Sequence, residues 1–287
     1  MKRQTLTVTL ATFNEENNIG KCLFAVKLIA DEIIVVDGNS TDNTVKIARK
    51  YGAKVIRTTN KANFHINKAL ANKRARSDWI LQLDADELVT PALAGEIRRL
   101  LEGKTFGYNR WLSTTRLSVN KFLPLFPSVR QLDHPAAAYW LKRKNYFLGR
   151  YLTHGGQYPD PVIRLFQRDR ANLPAKDVHE QMVVTGEIGW LAAPLNHFAT
   201  PQFSRYITRE NRYSSLLAQQ LLNTGVSINP FNTFLYLFAR PTIVFLKLYI
   251  RYRGFLDGFP GFVFSLFSGL HFSLAYIKLW QLQLKND

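Results

Sequence analysis

Three carboxylates stand within four residues at Asp84-Ala85-Asp86-Glu87, directly after the apolar run Trp79–Leu83 (WILQL). A run of that composition folds as a buried strand, and acids at its end are costly unless a partner or a cation neutralises them. Two aspartates in a D-x-D pair are hard oxygen ligands suited to Mg²⁺ or Mn²⁺, which keep waters and substrate phosphates in their remaining positions. Alone, such a pair is common in surface loops. Its weight comes from its company: Asp37 ends another apolar run, Ile33–Val36, and Asn14-Glu15 follow the run Leu6–Thr12. These polar groups share one kind of place, the carboxyl end of a strand.

The elements that must position them alternate. Strands are expected at Leu6–Thr12, Ile33–Val36, Lys54–Arg57 and Trp79–Leu83, with helices from about Glu16 to Leu28, over Thr44–Tyr51 and Asn63–Arg76, and opening at Pro91. That order predicts a parallel sheet with helices on both faces, and ligands bind such sheets beyond the carboxyl ends of the strands. From Thr105 to Pro161 no clean period survives. A strand-like block, VIRLFQR (Val162–Arg168), then leads to KDVHEQMVV, and an Arg- and Tyr-rich helix is expected from Pro201 to Asn223.

The chain has 287 residues, 46% of them hydrophobic, and 38 Lys/Arg against 21 acids, a formal net charge of +17. Between residues 101 and 150 there are nine Lys/Arg and two acids, Glu102 and Asp133. An anionic partner follows: nucleic acid, an anionic membrane surface or a phosphorylated substrate. The single cysteine, Cys22, forms no intrachain disulfide and fits a reducing compartment. The first residues show no apolar run of signal-peptide length, and a cytoplasmic location is expected.

The last part, from Pro230 to Leu284, is aromatic and aliphatic. Its longest uncharged stretch, Gly258–Ile277, is about the length of a bilayer span. Ser265, Ser268, His271, Ala275 and Lys278 nevertheless recur at helical spacing as a weaker face, and Arg240, Lys247, Arg251 and Arg253 flank the apolar segments. Apolar helices with flanking cations suit the interface of anionic lipid. Peripheral association is expected, ahead of a true span or of plain packing on the rest of the protein.

The blocks ATFNEENNIGKCL, IIVVDGNSTDNTVKIARKYGAKVI and DWILQLDADE, in this order, resemble the family 2 glycosyltransferases of the GT-A fold. YPDPVIRLFQR, VHEQMVVTGEIGWL and RGFLDGFPGF look like the branch that contains lipopolysaccharide core glycosyltransferases. The resemblance implies a Rossmann-like, mostly parallel α/β sheet with a C-terminal helical extension. It divides the chain into a nucleotide-sugar half (1–104), an acceptor half (105–200) and a membrane-associating helical region (201–287). It places Thr12, Phe13 and Glu15 along the nucleotide base and ribose, Asp37 at the uracil edge and Lys68 facing the phosphates. Asp84 then contacts ribose and metal, and Asp86 is the main metal ligand. The structural alternatives are that Glu15 caps the next helix and that Asp37 serves the turn before Gly38.

An inverting transfer needs a carboxylate to take the proton of the attacking hydroxyl. Many family members supply it from an E-D pair; here the segment reads Lys176-Asp177-Val178-His179-Glu180, and Glu180 is expected as base with Asp177 second. The alternative is that His179-Glu180 only begin a strand. Arg164 is expected to orient the acceptor or a loop, with an ordinary surface arginine equally open. His154 and His197 are weaker candidates for metal or diphosphate. The processive Q-x-x-R-W signature is broken, since Gly107 precedes Arg110-Trp111 where Gln belongs.

The expected protein is a metal-dependent inverting hexosyltransferase moving one sugar, glucose first, from a UDP-sugar to an anionic lipid-linked glycan at the cytoplasmic face of the inner membrane. The alternatives are transfer to polyprenyl phosphate or a basic nucleic-acid-binding module. No nucleic-acid motif is present, and the strand-end acids oppose a phosphate backbone.

Overall fold

The computed structural model describes residues 3–61, 63–104, 108–109, 130–131, 135–174, 182–200 and 202–284. The chain folds as two compact units, one of residues 1–143 and 160–197 and the other of residues 144–159 and 198–287.

The first unit begins with the expected alternation. Strands β1 (Leu6–Thr12), β2 (Glu32–Asp37), β3 (Lys54–Arg57) and β4 (Trp79–Leu83) alternate with helices α1 (Ile19–Val26), α2 (Thr44–Lys50) and α3 (His65–Arg74). The four strands pair in parallel in the order β3-β2-β1-β4. Their side chains divide by period two. Leu6, Val8, Leu10, Val35, Trp79, Leu81 and Leu83 enter one core with Ile19, Cys22, Leu23 and Val26 of α1. Ile34, Val36 and Ile80 enter a second core with Ala71 and Ala75 at the end of α3. The alternating threonines of β1 serve that second face: Thr9 Oγ1 donates to Asn72 Oδ1 at 2.7 Å, and Asn72 Nδ2 donates to Gln82 Oε1 at 2.9 Å. These polar side chains are thus linked to one another by hydrogen bonds beneath the sheet face.

After β4 come β5 (Glu87–Val89) and α4 (Pro91–Leu101). Thr90 caps α4 by accepting from Leu93 N at 3.2 Å, with Pro91 in the first turn where no backbone donor is needed. There follow β6 (Tyr108–Asn109), β7 (Arg130–Gln131), β8 (Ala138–Phe147), β9 (Arg150–Tyr151), β10 (Asp160–Gln167), β11 (Ala171–Asn172), β12 (Val183–Val184) and β13 (Ile188–Thr200). The sheet continues from β4 through β10, β8 and β13, and β10 runs antiparallel to both β4 and β8. The sheet is therefore mixed: the alternating part of the chain supplies its parallel strands β1–β4, as expected, and antiparallel strands extend it. Residues 148–159, which join β8 to β10, hold the short strand β9 and no helix, a connection that suits antiparallel neighbours.

The second unit carries α5 (Phe203–Asn223) and two C-terminal helices, α6 (Pro230–Arg251) and α7 (Gly258–Gln283). Two short stretches of α6, Leu235–Ala239 and Lys247–Arg251, widen to π-helical winding, the first just before Pro241. Proline has no backbone donor, and such local rewinding accommodates it inside a helix.

Candidate functional site

The carboxyl ends of β1, β2 and β4 meet as the alternation predicts. Thr12 lies opposite Asp37 in the β1–β2 register, and Leu10 lies opposite Leu83, the residue before Asp84. Asp37 is completely buried. Its carboxylate accepts from Ser40 N at 2.9 Å, Ser40 Oγ at 2.6 Å and Thr12 Oγ1 at 3.3 Å. The chain turns sharply here: Asn14 and Asn39 adopt left-handed φ of 54° and 70°. A Cβ on Gly38 would stand 3.1 Å from Asn60 Cα and 3.3 Å from Thr12 O. Asp37 thus does serve the turn, as the structural alternative held. Glu15 accepts from Asn18 Nδ2 at 2.8 Å, and its carbonyl accepts from Ile19 N at 2.9 Å, so it also supports the start of α1. Thr12 is buried, while the ring of Phe13 is 42% exposed.

Beyond β4 the acids divide into two environments. Asp84 is held by cations: Lys68 Nζ stands 2.5 Å from Oδ1 and Arg164 Nη2 2.5 Å from Oδ2. Arg164, on β10, also donates to Glu87 Oε1 from Nη2 at 2.7 Å and from Nε at 3.2 Å. Arg143 on β8 joins them, with Nη1 3.5 Å from Glu87 Oε1 and Nη2 donating to Asp160 Oδ2 at 2.8 Å. Glu87 is fully buried, and its Oε2 accepts from Asp84 N at 3.0 Å. Burial alone would raise the Asp84 pKa, but Arg164 and then Lys68 hold it well below the usual carboxylate range. Burial likewise disfavours a charged Arg164, yet Asp84 and Glu87 keep its guanidinium protonated beyond its ordinary range. Arg164 is therefore not a surface arginine. It is 7% exposed and ties two carboxylates together.

Asp86 sits differently. Burial first, then the negative charges of Asp84, Glu87 and Glu15, push its carboxyl up to about 7. His197 Nε2, at the start of the β13–β5 pairing where His197 faces Glu87, is 3.7 Å from Asp86 Oδ2, too long for a hydrogen bond. Burial pushes the His197 pKa down to about 4, so its imidazole is neutral at physiological pH. Cys22 Sγ lies 3.7 Å from Asp84 O, and burial raises its thiol pKa.

The structure thus brings Lys68, Asp84, Asp86 and Arg164 into one cluster, with Glu15 near enough to act on Asp86, and Thr12 with Asp37 at the neighbouring strand ends. Glu180 and Asp177 lie outside the described residues. Among the described residues no group of three His, Cys, Asp or Glu side chains forms a ready-made metal cage. Glu87 and Arg143 were given no role from the sequence. Glu87 was visible in the acidic block, three residues after Asp84; nothing local marks Arg143, which acts across strands. Arg143 Nε is buried with no hydrogen-bond partner among the described residues.

A mixed α/β sheet whose parallel strands end in a buried acid–base cluster, followed by a C-terminal helical extension, is the architecture expected of a GT-A glycosyltransferase. Residues 7–171 match the model of the family described as Glycosyl transferase family 2, and the chain belongs to that family. It is a family 2 glycosyltransferase. Along 98% of its length it is 28% identical to an uncharacterized glycosyltransferase of Rickettsia typhi, covering 88% of that protein. It is 26% identical over 282 residues to the lipopolysaccharide core biosynthesis glycosyltransferase LpsC of Rhizobium meliloti, covering 96% of this chain and 92% of that one. Among solved structures it is similar to S. aureus TarS 1-349, with 15% identity over 96% of this chain and 88% of that chain and a TM-score of 0.44.

Proposed function

We propose that the protein transfers a single hexose, glucose first, with inversion from a UDP-sugar to an anionic lipid-linked glycan of the lipopolysaccharide inner-core type, using Mg²⁺ or Mn²⁺. The observation that carries this is the placement of Asp86 just beyond β4, crowded by the carboxylates of Asp84, Glu87 and Glu15, with Lys68 and Arg164 committed to Asp84 and Glu87. A divalent cation relieves that repulsion, whereas Asp84 is already neutralised by Lys68 and Arg164.

The donor set fits such an ion. Asp86 would hold it with the neutral imidazole of His197 beside, leaving positions for diphosphate oxygens and water. When bound, the ion would neutralise the departing diphosphate. Lys68 and Arg164 keep Asp84 ionised and fixed next to it, in reach of a ribose hydroxyl. The exposed ring of Phe13 offers a face to the base, and Asp37 Oδ2, which accepts from Ser40 N, keeps one further acceptor position for the base edge. Glu180, with Asp177 second, takes the acceptor proton. The anionic acceptor is supported by the net charge of +17 and by the kinship with a lipopolysaccharide core enzyme. The apolar helices α6 and α7 support peripheral association with the cytoplasmic face of the inner membrane.

Calorimetry of UDP with wild type and Asp86→Ala, each with Mn²⁺ and with EDTA, tests the donor site. Tight binding is expected only for wild type with metal. Equal affinity in all four combinations removes the metal from the mechanism.

A further inference from the structure

The second unit, taken by itself, contains two helices long and apolar enough to cross a bilayer: Pro230–Arg251 with 22 residues and Gly254–Gln283 with 30. At 1.5 Å per residue the shorter is about 33 Å long, enough for a hydrocarbon core of about 30 Å. What surrounds α7 argues against a crossing.

On one side α7 meets α6. Gly269 packs so closely that a Cβ there would stand 2.5 Å from Pro241 O. Tyr276 stacks on Tyr236 at 5.1 Å between centroids, and Phe262 meets Phe245 edge-on at 5.8 Å. On the other side α7 meets α5. Phe267 packs on Phe203 and Tyr206, His271 Nδ1 lies 3.1 Å from Glu210 Oε2, and Lys278 Nζ donates to Ser214 Oγ at 2.8 Å and Ser215 Oγ at 2.9 Å. At 3.6 residues per turn these two sets of α7 side chains fall on opposite sides of the helix. The three helices therefore form a row with α7 in the middle, and α5 runs beside α7 from Phe267 to Leu279.

Helix α5 is not a membrane helix. It carries Arg205, Arg209, Glu210 and Arg212, with Arg205 and Arg212 exposed. If α7 crossed a bilayer, this charged stretch would be carried to the depth of α7's middle, where charges without a protein partner are strongly disfavoured. The opposite edge of the row is apolar. Phe231, Phe234, Phe238, Ile243, Leu246 and Ile250 of α6 recur at steps of three to five residues and are 49–73% exposed. A second stripe on α7, including Phe259, Leu274 and Ile277, is 71%, 40% and 53% exposed. Lys247, Arg251 and Arg253 stand at the α6–α7 end of this surface and complement anionic headgroups.

We propose that the α5–α7–α6 row lies with its helix axes along the plane of an anionic leaflet and its α6 edge toward the lipid, without crossing it. The α6 and α7 stripes enter the acyl boundary, and the polar edge of α5 stays in water. This deepens the membrane association proposed above and rests on it.

The test uses the full chain with Cys22 replaced by Ala and single cysteines placed at Ser227 or Arg251, at opposite ends of α6. The variants are added to sealed phosphatidylcholine–phosphatidylglycerol vesicles and treated from outside with a membrane-impermeant maleimide. In-plane binding labels both positions from outside, while nitroxides at Ile243 and Ile277 are shielded from an aqueous relaxant and one at Arg212 is not. Protection of just one end of α6 until detergent is added would overturn the in-plane arrangement while keeping membrane association. A chain that fails to float with the vesicles would overturn association itself, and a dimer hiding Ile243 in sedimentation would assign the stripe to a second copy. The double variant Phe238→Glu, Ile243→Glu changes only exposed positions, so folding should persist, and partition to the vesicles should fall about tenfold or more. Unchanged partition overturns the assignment of the stripe.

Discussion

The guanidinium of Arg164 reaches Glu87 across 77 positions of sequence, with Nη2 2.7 Å and Nε 3.2 Å from Glu87 Oε1. The same Nη2 also reaches Asp84, so one cation holds the two ends of the acidic block in register. Removing one partner of a buried pair leaves the other charge uncompensated, at a cost of about 3–5 kcal/mol. Arg164→Ala should therefore lower stability by about that amount in urea denaturation, and Arg164→Ala with Glu87→Ala by less than the sum of the two. A loss within the range of surface substitutions, about 0.5 kcal/mol, would mean that the pair contributes little to the fold.

Asp86 predicts a pH dependence opposite to that of an ordinary ion-paired acid. Its folded-state pKa is about 7, whereas an unfolded aspartate titrates near 3.9. Between those values the folded protein holds a proton that the unfolded chain has released, so stability falls as pH rises through this window and stays lower above it. Asn cannot ionise and escapes that loss. In EDTA, Asp86→Asn should melt several degrees above wild type at pH 8 and much closer to it at pH 4.5. His197 acts in the opposite sense, its lowered pKa destabilising the fold as pH falls below its unfolded value, and because it lies beside Asp86 both proteins are compared on a His197→Gln background. An equal difference at both pH values would place Asp86 in a neutral, solvated setting.

Strands Leu6–Thr12, Lys54–Arg57 and Trp79–Leu83 were legible to the residue, because each is a short apolar or β-branched run closed by polar residues. The first helix begins at Ile19 rather than near Glu16 because side chains capture the intervening backbone: Glu15 N donates to Thr44 Oγ1 at 2.7 Å and Glu16 N to Asp42 Oδ2 at 3.1 Å. The third starts at His65, whose N–H is taken by Asn63 Oδ1 at 3.0 Å. The acids of the site were legible because they follow strands. Their neutralisation by Arg143 and Arg164 was not, since these arrive from other strands 56 and 80 positions away, and no local pattern encodes that pairing.

In the second unit, Gly269 is needed for its lack of a side chain. The approach of 2.5 Å to Pro241 O leaves no room for a methyl group without moving backbone. Gly269→Ala should cost about 1–3 kcal/mol through overpacking, even though alanine is the better helix former. Hydrogen exchange should locate the loosening in α6 and α7 while β1–β4 keep their protection. A stabilised protein would show that α6 and α7 can separate freely.

The last prediction concerns the base. Glu180→Gln keeps size and most hydrogen bonding but removes the ability to accept a proton. If Glu180 takes the acceptor proton in the transition state, kcat should fall by about two to four orders of magnitude, with donor affinity little changed. Asp177→Asn should be much milder. The acceptor hydroxyl must lie between the base and the anomeric carbon, opposite the departing diphosphate, so only one carboxylate can serve. Single-turnover rates of both variants decide the assignment. The reverse ranking would transfer the role to Asp177, and near-normal rates in both would exclude this segment from proton transfer altogether.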